Sequence, residues 1–348
     1  MKPKAVIWPF RFNKFSGSSW EPRMQWVSKA LQELGYEVQQ HPRFNCDLPG
    51  TAPYDKSYDC DVAIYNHTVL SKIRGDVIRS KRTWIFKPTV PDKLHTTLDP
   101  LGYGAYSSIA YEKPPYESVS KKEVDKFFDT EVKEWAANNS SKWGKIFKPS
   151  SIVENDYYLV LGQTLHDFTV EGMHFGAYVI SLMAVIKELL RVSDGRKVVV
   201  KLHPYLDKKL PKESELADLL EARIKKLSKD VVVYKGFLSA HSFFPKCKCA
   251  VVCNSGVGIE AMMHHKPIIS WGYPEYHWVT YDLRHLCGLD RALDLSWFDV
   301  EHSDKFLYWY LKKYCFWNYD SALRRVKELL KLPEQKQHVV QRQSMLDL

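Results

Sequence analysis

The sequence predicts an α/β protein made of two sheet-and-helix layers in series. Three observations predict it. Short apolar, β-branched runs alternate with longer amphipathic runs along most of the chain, the pattern of parallel strands covered by helices. That alternation restarts after a polar break at Asn138–Asn155. The 348 residues also suffice for two domains of roughly 100–200 residues each.

In the first series, Ala5–Phe10 reads as a short buried strand. After Gly17-Ser18-Ser19 a helix runs from about Glu21 to Leu34, with Pro22 suited to its first turn and Gly35 closing it. Tyr36–Gln40, Asp61–Tyr65 and Thr83–Phe86 read as strands, the last two separated by a helical Leu70–Ser80. The proline-rich Pro88–Ser118 reads as loop, with a turn at Leu101–Gly104, and Lys122–Ala137 as a polar amphipathic helix.

The second series opens with strand Tyr157–Leu161 and the strongly apolar helix Phe175–Arg191. Strand Lys197–Leu202 follows, then helix Glu213–Leu227, whose apolar stripe reads as Leu216, Leu219, Leu220, Ile224 and Leu227. Strands Val231–Tyr234 and Cys249–Cys253, helix Val257–His264 and strand Pro267–Trp271 complete it. Asp304–Leu330 reads as helical and able to pack back on the first domain, and the polar tail after Pro333 as frayed.

Composition narrows the function. Hydrophobic residues at 45% and charged residues at 26% rule out wholesale disorder. Aromatics at 14% suit clefts that stack sugars or flat ligands, thick cores or partner surfaces. No run approaches the ~20 apolar residues of a membrane span. The basic start followed by a short apolar run lacks a cleavage site, so no signal peptide is expected. Seven irregularly spaced cysteines read as reduced thiols of a cytoplasmic protein. The net charge of +9 suits anionic partners, an anionic membrane surface among them. Without a zinc-finger spacing, an RNA-binding signature or a basic zipper region, nucleic acid is not an expected partner.

Three segments follow strand ends, where open α/β sheets bind ligands. Asn254-Ser255-Gly256 precedes a helix carrying Glu260, and its small residues let a phosphate approach the backbone. A tight turn that merely needs glycine is the alternative. Lys201-Leu202-His203-Pro204 offers two donors to a phosphate, although for a lone histidine the residues favour one satisfied by a backbone carbonyl. Gly162-Gln163-Thr164-Leu165-His166-Asp167 brings a carboxylate past a strand end, able to act as base or nucleophile, or only to cap a helix. Gly17, Ser18 and Ser19 could touch an acceptor or cap a helix. Cys247, Cys249 and Cys253 do not have zinc spacing and read as buried thiols, so no metal site is expected. His264-His265 reads as surface.

These segments, in this order, resemble the capsule polysaccharide biosynthesis family of glycosyltransferases, which includes Kdo transferases. The first half adds Thr97-Leu98 with the Gly102–Gly104 turn and Ser107-Ser108, and the second adds Lys266-Pro267. The resemblance implies a GT-B fold: two Rossmann-like domains facing a central cleft, with a C-terminal helix packing back on the first domain. The expected division is 1–150 for the acceptor domain, 151–303 for the donor domain and 304–348 for the helical segment and tail. It further implies transfer from a nucleotide sugar, CMP-Kdo first and UDP- or GDP-sugars next, to a glycan or glycolipid acceptor, without metal or cofactor. Asp167 would be the catalytic carboxylate with Gln163 beside it, while Lys201, His203, Asn254, Ser255, Gly256 and Glu260 hold the donor. A nucleotide-sugar epimerase of the same architecture and a non-catalytic glycan-binding subunit are the alternatives.

Overall fold

The computed structural model describes residues 2–8, 21–40, 58–66, 78–140, 151–152, 156–164, 170, 175–207, 211–283 and 288–334. The chain forms two compact units. One holds Met1–Thr89, Leu94–Tyr111 and Leu311–Leu348; the other holds Val90–Lys93 and Glu112–Tyr310.

The first unit is built on strands β1 (Lys4–Trp8), β2 (Glu37–Gln40), β3 (Tyr58–Asn66), β4 (Ile78–Pro88) and β5 (Thr96–Asp99). Helix α1 (Glu21–Glu33) links β1 to β2. It stops where Gly35 takes a left-handed φ of +89°, which glycine adopts without steric cost. Strands β1 to β4 run parallel; β5 turns back antiparallel to β4 inside the segment expected to be loop. Its four residues are too short a run for alternation to reveal, and pairing with β4 supplies the order that local propensity does not.

The short helix α2 (Ser108–Tyr111) follows. Asp99, fully buried, accepts hydrogen bonds from the Leu101, Gly102 and Ser108 N–H groups at 2.8–3.0 Å and from Ser108 Oγ at 2.5 Å. The Thr-Leu and Ser-Ser stretch of the first half is thus tied into a structural knot around one carboxylate.

The second unit begins with helices α3 (Lys121–Phe127) and α4 (Lys133–Ala137), joined by a π-helical stretch at Phe128–Val132. Its sheet comprises β6 (Tyr157–Leu161), β7 (Val198–Lys201), β8 (Val231–Tyr234), β9 (Cys247–Val252), β10 (Ile268–Ser270) and β11 (Tyr281–Asp282). All strands are parallel, in the order β11-β10-β9-β6-β7-β8. Helices α5 (Phe175–Val192), α6 (Pro211–Lys225), α7 (Val257–Met262), α8 (Leu289–Ala292) and α9 (Val300–Trp309) accompany it.

Tyr178, Leu182, Val185, Ile186 and Leu189 make α5 a core helix, as its apolar character predicted. On α6 the buried face is Ala217, Leu220 and Ile224, whereas Leu216 and Leu219 are 43% and 60% exposed. The stripe read from the sequence mixed two faces, since residues 216 and 219 lie one position, about 100°, away from 217 and 220.

The segment expected to be one C-terminal helix is interrupted. After α9 the chain makes a π-helical turn, pairs β12 (Cys315–Phe316) antiparallel with β5, then enters α10 (Tyr319–Lys331). Asn318 and Ser321 cap α10 reciprocally. As expected, α10 packs back on the first unit: Ala322, Val326 and Leu329 share a core with Val27 and Leu31 of α1. Arg325 Nε and Nη2 donate to the Leu98 carbonyl at 3.0 and 2.9 Å, and Tyr314 Oη donates to Asp99 at 2.8 Å. Among the described residues no helix is long and apolar enough to cross a membrane. The described cysteines, Cys60, Cys247, Cys249, Cys253 and Cys315, are buried.

Candidate functional site

Strands β7, β6 and β9 are neighbours in the second sheet and parallel, so their carboxyl ends lie along one edge. Each ends at one of the three segments singled out from the sequence. The edge is tightly built. A Cβ on Gly162 would come within 3.3 Å of Leu202 Cα and 3.5 Å of the His203 nitrogen, so glycine lets the exits of β6 and β7 touch.

From β6 to β9 the join is a reciprocal amide clamp. Gln163 Nε2 donates to Asn254 Oδ1 at 2.5 Å, and the Asn254 N–H donates to Gln163 Oε1 at 2.9 Å. Gln163 is 5% exposed and its own N–H donates to Tyr178 Oη at 2.7 Å, so α5 holds it from below. A fully satisfied buried amide pair of this kind fixes the turn after β9 rigidly. Tyr178 carries no sequence signal of this role, because it is one apolar-face residue of a core helix.

Past Asn254, the chain turns through Ser255 and Gly256 into α7. Tyr276 Oη donates to the Ser255 carbonyl, and a Cβ on Gly258 would lie 2.2 Å from that same Oη. Gly258 is therefore required by packing. Gly256 is not: its φ of −58° suits any residue, and nothing lies within 4 Å of the Cβ position. A glycine that the fold does not need leaves open backbone at this edge.

Lys201 ends β7 and is 6% exposed. Burial pulls its ammonium pKa from 10.5 down to about 8, and the charge of Glu260 works against that fall. Glu260 lies on α7 and is itself 7% exposed, so a buried carboxylate acts electrostatically on a buried ammonium. His203, two residues past Lys201, is half-buried. The edge thus brings together Gln163, Lys201, His203, Asn254, Ser255, Gly256 and Glu260. Asp167, Gly17, Ser18 and Ser19 lie outside the described residues.

Sequence reading missed the aromatic segment beyond β10. Gly272 presses on β9, where a Cβ would stand 2.7 Å from the Cys253 carbonyl oxygen, and Tyr273, His277 and Trp278 follow as a stack of rings 4.3 Å apart. Their spacing just past a strand end was the available signal. The His264-His265 pair, expected at the surface, divides. His265 is exposed and bonds Asp304 at 3.0 Å, while His264 is half-buried against His241 at 2.8 Å, where burial and neighbouring cations lower its pKa to about 4. Among the described residues no group of three or more His, Cys, Asp or Glu side chains could hold a metal ion.

The sequence signature described as capsule polysaccharide biosynthesis protein matches residues 117–292, which contain Gln163, Lys201, His203, Asn254, Ser255, Gly256 and Glu260. Among solved structures, the β-Kdo 2,4-transferase KpsC of Thermosulfurimonas dismutans is 16% identical. The match covers 81% of this chain and 84% of that one, with a TM-score of 0.52. The β-Kdo 2,7-transferase KpsC of the same organism is 14% identical over 94% of this chain and 100% of that one, with a TM-score of 0.50. No curated protein sequence matches the chain. At such identities the likeness shows the fold, GT-B with two Rossmann-like sheets.

Proposed function

The chain belongs to the capsule polysaccharide biosynthesis family, and we propose that it is a glycosyltransferase of surface-glycan synthesis. It moves a sugar from a nucleotide-activated donor, CMP-Kdo by first choice, to a glycan or glycolipid acceptor. The observation that carries the reading is the convergence of the Gln163, Lys201–His203 and Asn254–Gly256 segments on adjacent strand ends, with Gln163 and Asn254 bonded to each other.

The chemistry follows from the leaving group. As the bond between the donor sugar and the nucleotide phosphate breaks, negative charge grows on the phosphate oxygens, and positioned cations stabilise it most where water is scarce. Lys201, protonated below about pH 8 and buried at the strand end, supplies one such cation. His203 supplies a second donor beside it. The glycine-opened turn at Ser255-Gly256 admits the phosphate, and Gln163 positions that turn through Asn254. Glu260 holds the Lys201 ammonium charged and in place.

Asp167 acts on the sugar side, as nucleophile if configuration is retained and as base if it is inverted. The first unit binds the acceptor, with Gly17, Ser18 and Ser19 on its side. The division into an acceptor domain at 1–150, a donor domain at 151–303 and a C-terminal segment at 304–348 belongs to the same proposal. So does cytoplasmic placement with peripheral membrane contact, which the net charge of +9 favours. Asp167→Ala should abolish transfer while nucleotide binding, followed by thermal shift, survives. Full transfer activity in that variant would overturn the assignment.

A further inference from the structure

The face of the first sheet that α1 and α10 cover is apolar at its centre and turns polar at the carboxyl end of β3. Ile64, Trp84, Phe86 and Phe316 line its core. Asn66 lies two residues beyond Ile64 and pairs in register with Phe86, so it continues that face at the carboxyl end of β3. Thr96 pairs with both Pro88 and Phe316, which puts it on the same face at the same edge. Because α1 follows the parallel strand β1, its first turn also stands at that edge. Arg23, in that turn, is 2% exposed, and its Nη1 donates to Thr96 Oγ1 at 3.3 Å. The Thr96 hydroxyl passes its own proton to the Leu94 carbonyl at 3.1 Å.

Asn66 is 1% exposed, and neither its Oδ1 nor its Nδ2 has a hydrogen-bond partner. Native proteins rarely leave a buried amide so, since it forfeits its water contacts for nothing in return. The missing partner has a chemistry that the surroundings specify. The corner combines an amide donor, a guanidinium whose planar fork suits two-oxygen anions, and the positive end of a 13-residue helix. All three favour an anionic oxygen group.

We propose that this corner is the recess in which the first unit holds a carboxylate or phosphate of its ligand. The Asn66 amide donates to one oxygen and the Arg23 guanidinium neutralises the group. That the ligand is the acceptor rests on the transferase reading above; the anion site does not.

The test is thermal unfolding of the full chain titrated with sodium galacturonate, inorganic phosphate, galactose or sodium chloride at matched ionic strength. A ligand that binds only the folded state raises the melting temperature. Galacturonate or phosphate should raise it above the chloride and galactose controls; galacturonate alone assigns a sugar carboxylate, and phosphate alone a phosphate group. Asn66→Leu, which removes the orphaned amide, should keep the unliganded melting temperature and lose the shift. Arg23→Lys, which keeps the charge but not the fork, should reduce it. No anion-specific shift in the wild type, or equal shifts in wild type and Asn66→Leu, overturns the recess. CMP, UDP and GDP run in parallel separate the two readings: a nucleotide shift without an anion shift removes the recess and spares the transferase, and an anion shift without a shift from any of the three does the reverse.

Discussion

Raising the pH from about 7 to about 9 should remove most of the charge from Lys201 and weaken nucleotide binding about tenfold. With its pKa lowered to about 8 by burial, the lysine is roughly nine-tenths protonated at the lower pH and one-tenth at the higher. A nucleotide monophosphate keeps its dianionic charge across that window, its second ionisation lying near pH 6. The fall in affinity therefore reports the lysine, and tenfold corresponds to about 1.4 kcal/mol. The same shift has a stability signature of definite sign. In the unfolded chain the group titrates at 10.5, so between about pH 8 and 10.5 the unfolded state holds more protons and stability rises with pH. Below pH 8 the net cost of burying the charge is present in full, on the order of 3 kcal/mol with the attraction of Glu260 already included. The assay is calorimetric titration with CMP at pH 7, 8 and 9 and constant ionic strength, on wild type and Lys201→Met. Wild type should lose affinity across the series and the methionine variant should bind weakly at every pH with no slope. A flat wild-type profile, or an equal slope in Lys201→Met, would refute the placement of the ammonium against the phosphate.

Three further predictions concern the turn after β9. Gln163→Leu leaves the Asn254 N–H and side-chain oxygen buried without partners, at about 1–3 kcal/mol for each; the melting temperature should fall by several degrees, and a double-mutant cycle with Asn254→Ala should show coupling above about 0.5 kcal/mol. Additivity of the two substitutions would contradict the clamp. Gly258→Ala drives a Cβ into the buried Tyr276 ring and should destabilise by about 1–3 kcal/mol. Gly256→Ala meets open space and should leave the melting temperature within about 0.5 kcal/mol of wild type while lowering nucleotide affinity. If Gly256→Ala binds nucleotide normally, that glycine does not face the ligand.

What the sequence revealed follows from where the order of each element originates. Strands β6, β7 and β9 are continuous apolar runs buried on both faces, such as Tyr157–Leu161, and such runs are legible without neighbours. The three polar segments beyond them were legible for the same reason, since a strand end locates them. Strands β5, β11 and β12 were not, because Thr96–Asp99 lacks an apolar run, the other two are two residues each, and all three are ordered by pairing with a partner. The break at Cys315–Phe316 in the expected C-terminal helix has that origin: pairing with β5 outweighs a helical pattern. Within the site, the Gln163–Asn254 clamp joins positions 91 apart and leaves no local trace. Gly256 and Gly258 look alike in the sequence, and only the position of Tyr276 tells the open glycine from the packed one. The recess at Asn66 was equally hidden, since an asparagine at a strand end reads as a turn residue until its burial is known.

Sugar transfer from a nucleotide donor can be measured directly. CMP-Kdo, UDP-sugars and GDP-sugars are each incubated with the full chain, with and without a glycan acceptor, and both free nucleotide and labelled acceptor are quantified. Release of nucleotide matched by label on the acceptor, from one donor class and only when acceptor is present, is the predicted result. Conversion of the nucleotide sugar without any acceptor would make the chain an epimerase, and an inert mixture together with no nucleotide-induced thermal shift would make it a glycan-binding subunit.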